Sequence, residues 1–124
     1  MIDRLLDSVI LIDHFNELQQ ATRFLLGLDP RKTAISVITR AEVLVGVEEE
    51  AEPLVKAFLD QYQLLSIEKP DADLAASLRR EHGWKLPDAF QATLAITHGC
   101  SLTTRNTKDF HPEQHDFVEL PYST

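Results

Sequence analysis

Four acids stand where this chain turns from an apolar run into a helical pattern. Asp7 closes RLLD before SVILID. Glu42 sits in AISVITRAE, about a turn into a helix after a short strand. Asp88 follows Leu86 and Pro87 at a helix start, and Asp109 lies in the turn of LTTRNTKDF. Each has an ordinary structural role open to it. Asp7 suits a helix N-cap, and Thr39 to Glu42 reads as a capping box. Asp88 in a first helical turn is favoured by the helix dipole, and Asp109 fits a plain turn. Together they suggest more. In an open parallel sheet the strand carboxyl ends and the following helix starts share one edge, where such folds place a crevice. Glu42 reaches that edge because one helical turn rises only about 5.4 Å. Four converging carboxylates repel and raise one another's pKa unless a cation sits among them. A hard divalent ion with oxygen ligands, Mg²⁺ or Mn²⁺, is the natural occupant. Such ions bridge to phosphate oxygens, which points to phosphodiester chemistry.

The elements needed to position these acids are legible as α/β alternation. Strands are expected at about 2–7, 33–36, 64–67, 101–104 and 117–120. Helical segments are expected at about 8–15, 18–28, 37–47 and 52–63. Two more open at Pro70 and Pro87 and close at Gly83 and Gly99, following the proline-first, glycine-last rule. Periodicity alone does not separate strand from helix in the run SVILI. Leu74 with Leu78, and Val55 with Leu59, mark core faces. Ala89, Phe90, Ala92, Leu94, Ala95 and Ile96 make the helix after Pro87 apolar nearly all round, so it is expected to be buried against the sheet.

Composition sets limits. The chain has 124 residues, 44% hydrophobic and 26% charged, which suits a single domain over 1–124 with one core. No apolar run approaches the roughly 20 residues of a membrane helix, and the acids within MIDRLLDSVILID argue against a signal peptide. Cys100 is the only cysteine, in keeping with a reducing cytoplasm. The net charge of −8 rules out binding nucleic acid by overall charge. Local cations at Arg40, Lys85, Arg105 and Lys108 are the candidates for a grip on phosphates.

Three stretches, LLDSVILIDHF, AISVITRAEVLVG and LPDAFQATLAITHGCSLTTRNTKDF, in this order and spacing, resemble the PIN-domain ribonucleases. The likeness is strongest to the VapC toxins of toxin–antitoxin pairs and covers nearly the whole chain. It implies a three-layer α/β/α sandwich around a mainly parallel sheet of four or five strands. It matches Asp7, Glu42 and Asp88 to the acidic metal-binding positions, and Asp109 or the nearby Asn106 to the fourth. Asp109 is favoured, with Asn106 as a polar group behind it, and Thr104 matches a hydroxyl residue beside the site. Ser8-Val9 departs from the Thr-Asn or Thr-Ser that many relatives carry after the first aspartate.

The implied activity is a metal-dependent endoribonuclease, the toxin of a type II toxin–antitoxin pair. It would hydrolyse RNA, tRNA included, by a metal-activated water. A cytoplasmic homodimer is implied, with a cognate antitoxin that wraps the toxin and presses a basic side chain into the acidic site. The alternatives are a catalytically weak PIN-fold binding module, or a DNA nuclease or phosphatase using the same carboxylates. A phosphate-accepting regulatory domain lacks its lysine after the fourth strand, where Thr103-Thr104-Arg105 stands. His111 and His115 lack the further ligands a zinc site needs and are expected in exposed loop positions. His14, His82 and His98 are expected to complement helix C-terminal dipoles. Cys100 is expected to be a buried, inert thiol. Glu48 to Glu50 read as a solvated helix end. Trp84 reads as loop packing, with stacking on a base or a partner chain as the alternative.

Overall fold

The computed structural model describes residues 1–123. Five short parallel strands form its sheet, in the order β3-β2-β1-β4-β5. They are β1 (Arg4–Leu6), β2 (Thr33–Ser36), β3 (Gln63–Leu65), β4 (Ser101–Thr103) and β5 (Val118–Glu119). The helices between them are α1 (Ser8–Phe15), α2 (Gln19–Leu26), α3 (Val37–Val45), α4 (Glu52–Leu59), α5 (Lys69–His82) and α6 (Leu86–His98). Both the fold class and the strand count match the expectation. β2 coincides with its expected range, β3 starts one residue earlier and ends two earlier, and β1, β4 and β5 are trimmed at one or both ends.

Side-chain alternation along the strands builds two cores. Leu5 and Ala34 face one side, where they join Trp84, Ala92, Leu94, Ala95, Leu102 and Phe110. Their neighbours Leu6 and Ile35 face the other and join Ile10, Leu11, Leu25, Val43, Val55 and Leu59. Burying each such leucine or isoleucine is worth about 1.5–3 kcal/mol, so both faces need a helical cover. The register pairs Leu5 with Ala34 on one flank and with Leu102 on the other. That brings the carboxyl ends of β1, β2 and β4 level, where Ser36 ends β2 and Asp7 and Thr104 follow β1 and β4.

The ambiguous run SVILI is helical. Asp7 is extended at φ −73°, ψ 152°, and its side chain accepts from the Ser8 N–H, which starts α1 directly after β1. Helix α3 differs from expectation at its start. Its N-cap is Ser36, whose Oγ accepts from the Thr39 N–H at 3.0 Å. Glu42 therefore lies deeper in the helix and has no capping-box role. The earlier serine wins because the helix begins as soon as β2 ends. Gly83 and Gly99 close α5 and α6 in the left-handed region, at φ 77° and 63°, where a β-carbon is disfavoured. Ile96 departs from the expected all-round burial of α6 and is 45% exposed. Among the described residues, no helix is long and apolar enough to cross a membrane.

Candidate metal centre

At the carboxyl edge of the sheet lies a cleft of about 450 Å³, lined by Asp7, Ser8, Glu42, Asp88, Gln91 and Asn106 among others. Its floor is Asp7, only 7% exposed. Asp7 Oδ2 accepts from Thr104 Oγ1 at 2.7 Å. Asp7 Oδ1 accepts from Ser8 N at 2.8 Å and from Gln91 Nε2 at 3.3 Å. Gln91 is 1% exposed and ties three elements together. Its Nε2 also donates to Thr39 Oγ1 at 2.7 Å, and its Oε1 accepts from Ser36 Oγ at 2.7 Å. A buried polar network of this kind holds its members in one arrangement because every group has a partner. Gln91 was not expected at the site. The signal was present: a polar residue in an apolar helix, three positions after Asp88 and so on the same face.

Glu42 and Asp88 flank Asp7 from α3 and α6. Partial burial raises the Glu42 carboxyl above its ordinary range; a hydrogen bond with the Ser8 side chain opposes this, and the Asp7 charge adds to it. Asp88 in the first turn of α6 is half-buried. Burial is the first cause that pushes its carboxyl up to about 6, followed by the charges of Asp7, Asp109 and Glu42, with Lys85 opposing. Asp88 thus feels the charge of the other three expected acids.

The structure places the fourth acid differently from the other three. Asn106, expected behind Asp109, is on the cleft wall, and Asp109 stands behind it. Asp109 Oδ2 accepts from Asn106 Nδ2 at 3.1 Å, while its backbone oxygen accepts from Trp84 Nε1 at 2.9 Å. Thr104 accepts from Asn106 N at 3.0 Å and donates to Asp7, which links this loop to the cleft floor.

The donor set fits a hard cation. It is all oxygen, and the acids Asp7, Glu42 and Asp109 add to burial in raising the Asp88 carboxyl. Among the described residues, no three Asp, Glu, His or Cys side chains cluster closely enough to cage an ion by themselves. An ion held at this edge would need water to complete its shell, as Mg²⁺ readily accepts.

The expected cations divide into two pairs. Lys108 lines the cleft and Lys85 acts on Asp88. Arg40 is engaged by Asp60 at 2.8 Å, and Arg105, though on the cleft rim, is engaged by Asp13 at 2.6 Å.

The remaining expectations divide. Trp84 packs as expected, 4% exposed and against Phe110, which sets aside the alternative of stacking on a base or a partner chain. His14, expected to complement the α1 dipole, stacks on Phe58, and burial lowers its pKa. His115 is half-buried against Trp84 and His82 instead of exposed, and burial is the first cause of its lowered pKa. His111 is exposed as expected, and Cys100 is buried, which raises its thiol pKa.

Comparison with known proteins identifies the fold and the family. The PIN domain family model matches residues 4–111. A chain in a toxin–antitoxin complex from Klebsiella pneumoniae is 36% identical, with a TM-score of 0.90. The match covers 98% of this chain and 100% of that one. VapBC2 from Rickettsia felis, bound to a promoter DNA fragment, shares the fold at 22% identity and a TM-score of 0.77, covering 96% and 98%. FitAcB from Neisseria gonorrhoeae does so at 21% and 0.77, covering 95% and 97%. No curated protein matches by sequence. With the matched model spanning most of the chain and both cores and the acidic edge in place, this chain belongs to the PIN-domain family.

Proposed function

We propose that this chain is a divalent-metal-dependent endoribonuclease and the toxin of a type II toxin–antitoxin pair. The observation that carries the reading is the meeting of Asp7, Glu42 and Asp88 at one polar cleft, with Asp88 pushed up to about 6 by burial first and by its acidic neighbours second. The 36% identity to a chain of a toxin–antitoxin complex supports the biological role. Asp7, Glu42 and Asp88 would hold Mg²⁺ or Mn²⁺, with Asp109 adding charge through the Asn106 loop. A divalent ion there supplies Lewis-acid activation of water and neutralises charge on the phosphate. The chain's own residues do the rest. Gln91, Ser8 and Thr104 orient Asp7 with three donors. Lys85 and Lys108 stand where a phosphate backbone would approach, and Asn106 offers a neutral amide to the substrate or to an ordered water.

The partners are an RNA such as tRNA, a second copy of the chain, and an antitoxin, all in the cytoplasm. An apolar groove of about 510 Å³ between α1, α3 and α4, lined by Ile12, Phe15, Val43, Val47, Ala51 and Val55, suits an amphipathic helix of the antitoxin. The net charge of −8 favours a basic segment beside it.

The test is cleavage of a labelled structured RNA with Mn²⁺ titration in parallel, on wild type and Asp88→Asn. Loss of both in a folded variant is expected. A second reading, a PIN-fold binding module with weak catalysis, draws on the absence of a tight three-ligand cage among the described residues. RNA binding without cleavage by the wild type would favour it. Single-stranded DNA and an aryl phosphate as alternative substrates separate the DNA nuclease and phosphatase readings.

A further inference from the structure

An arginine on the rim of a carboxylate cleft is a potential plug. Arg105 lines the cleft with Asp7, Glu42 and Asp88 and directly follows Thr104, whose hydroxyl holds Asp7. A guanidinium matches carboxylates with paired hydrogen bonds. Left free, it would fold onto these acids and compete with a divalent ion. The structure turns it away. Arg105 Nε donates to Asp13 Oδ2 at 2.6 Å, and Nη2 donates to Asp13 Oδ1 at 2.9 Å.

Asp13 lies farther along the helix that begins at Asp7. It is 7% exposed, so its charge needs partners. Tyr122, from the chain's end, donates its hydroxyl to Asp13 Oδ2 at 2.8 Å. Tyr122 is in turn packed near Phe24 of α2. The carboxylate is therefore fixed from two sides, and the fork of Arg105 is fixed by it.

We propose that Asp13 and Tyr122 are positioning residues that hold Arg105 out of the acidic cleft and keep its carboxylates open to a divalent cation. The inference rests on the metal-site reading above. It gives Arg105 a role set by where it is kept, and it gives the C-terminal segment a role in metal binding without contact with the metal.

The test is Mn²⁺ titration by calorimetry on wild type, Asp13→Asn, Arg105→Gln and the double variant, with thermal unfolding as a check on the fold. Asp13→Asn is expected to weaken Mn²⁺ binding about tenfold, because a released cation then competes at short range. Arg105→Gln alone is expected to bind at least as well as wild type. The double variant is expected to recover wild-type affinity, which no loss of structure would produce. Should Asp13→Asn fail to fold, Tyr122→Phe with and without Arg105→Gln gives the same comparison. Unchanged affinity in Asp13→Asn, or a double variant as weak as the single, overturns the proposal. A wild type that binds no Mn²⁺ overturns the metal-site reading and this inference with it.

Discussion

Thr104 Oγ1 donates to Asp7 Oδ2 at 2.7 Å across 97 residues of chain. The same oxygen accepts from Asn106 N at 3.0 Å. One hydroxyl thus joins the end of β4 to the cleft floor and sets the first turn of the loop carrying Asn106 and Asp109. Thr104→Val keeps the shape and removes both bonds. A loss of about 1–2 kcal/mol is expected from the unpaired groups, with Mn²⁺ affinity down several-fold. Thr104→Ser should retain most of both. Urea unfolding and calorimetry read the two effects, and a valine variant with wild-type affinity would remove Thr104 from the site.

Asp88 gives a stability test that needs no substrate. Its carboxyl is raised from 3.8 to about 6, so the native state holds the proton more tightly than the unfolded chain. That contribution is complete below the unfolded pKa and is lost as pH rises through about 6. Metal-free wild type should therefore lose stability relative to Asp88→Asn across this window. After allowance for solvent screening at a half-exposed group, the difference is about 1 kcal/mol. Denaturant melts of both proteins at several pH values decide it, and parallel curves would refute the raised Asp88 carboxyl.

Metal binding carries the same signature. An ion must displace the proton from Asp88, and the raised Glu42 carboxyl adds to the competition. Affinity for Mn²⁺ is expected to climb as pH rises through about 6 and then level off. Calorimetry in buffers of different ionisation heat would register the released proton. Added Mn²⁺ should also raise the midpoint of thermal unfolding, and a chelator should reverse the gain.

Trp84 anchors the loop behind the cleft. Its Nε1 donates to the Asp109 backbone oxygen at 2.9 Å, and its ring packs on Phe110. Trp84→Phe keeps an aromatic filler and removes the donor. A cost of about 1–3 kcal/mol is expected, with slower cleavage at saturating metal. Equal cleavage in the variant would show that Asp109 does not need this anchor.

The apolar groove can be separated from the acidic cleft. Val47→Glu places a charge among Ile12, Phe15 and Val55. Affinity for a co-expressed antitoxin should fall by at least tenfold, while RNA cleavage by the free chain stays intact. If cleavage falls with it, the two surfaces are not independent.

Read in order, the residues determine a good deal by local physics. Pro87 and Gly99 bracket α6 because proline lacks the N–H that a helix start leaves free, and glycine accepts the left-handed turn that ends one. The short apolar runs become parallel strands because only intervening helices cover both their faces. Parallel strands then place Asp7, Glu42 and Asp88 toward one edge, which is why the acidic site can be read before any coordinates are known.

What tertiary structure alone decides is which partners distant side chains find. Glu42 loses its capping role because Ser36, at the end of β2, caps first. Asn106 takes the wall and Asp109 the place behind it because Trp84 pins the backbone of that loop. Arg105 looks like a phosphate contact in sequence, but Asp13, 92 residues away, claims it. Gln91 reaches Ser36, Thr39 and Asp7 only once α6 lies across the sheet. Hydrogen bonds and ion pairs act over about 3 Å and need defined geometry, so such choices wait until packing has brought the elements together.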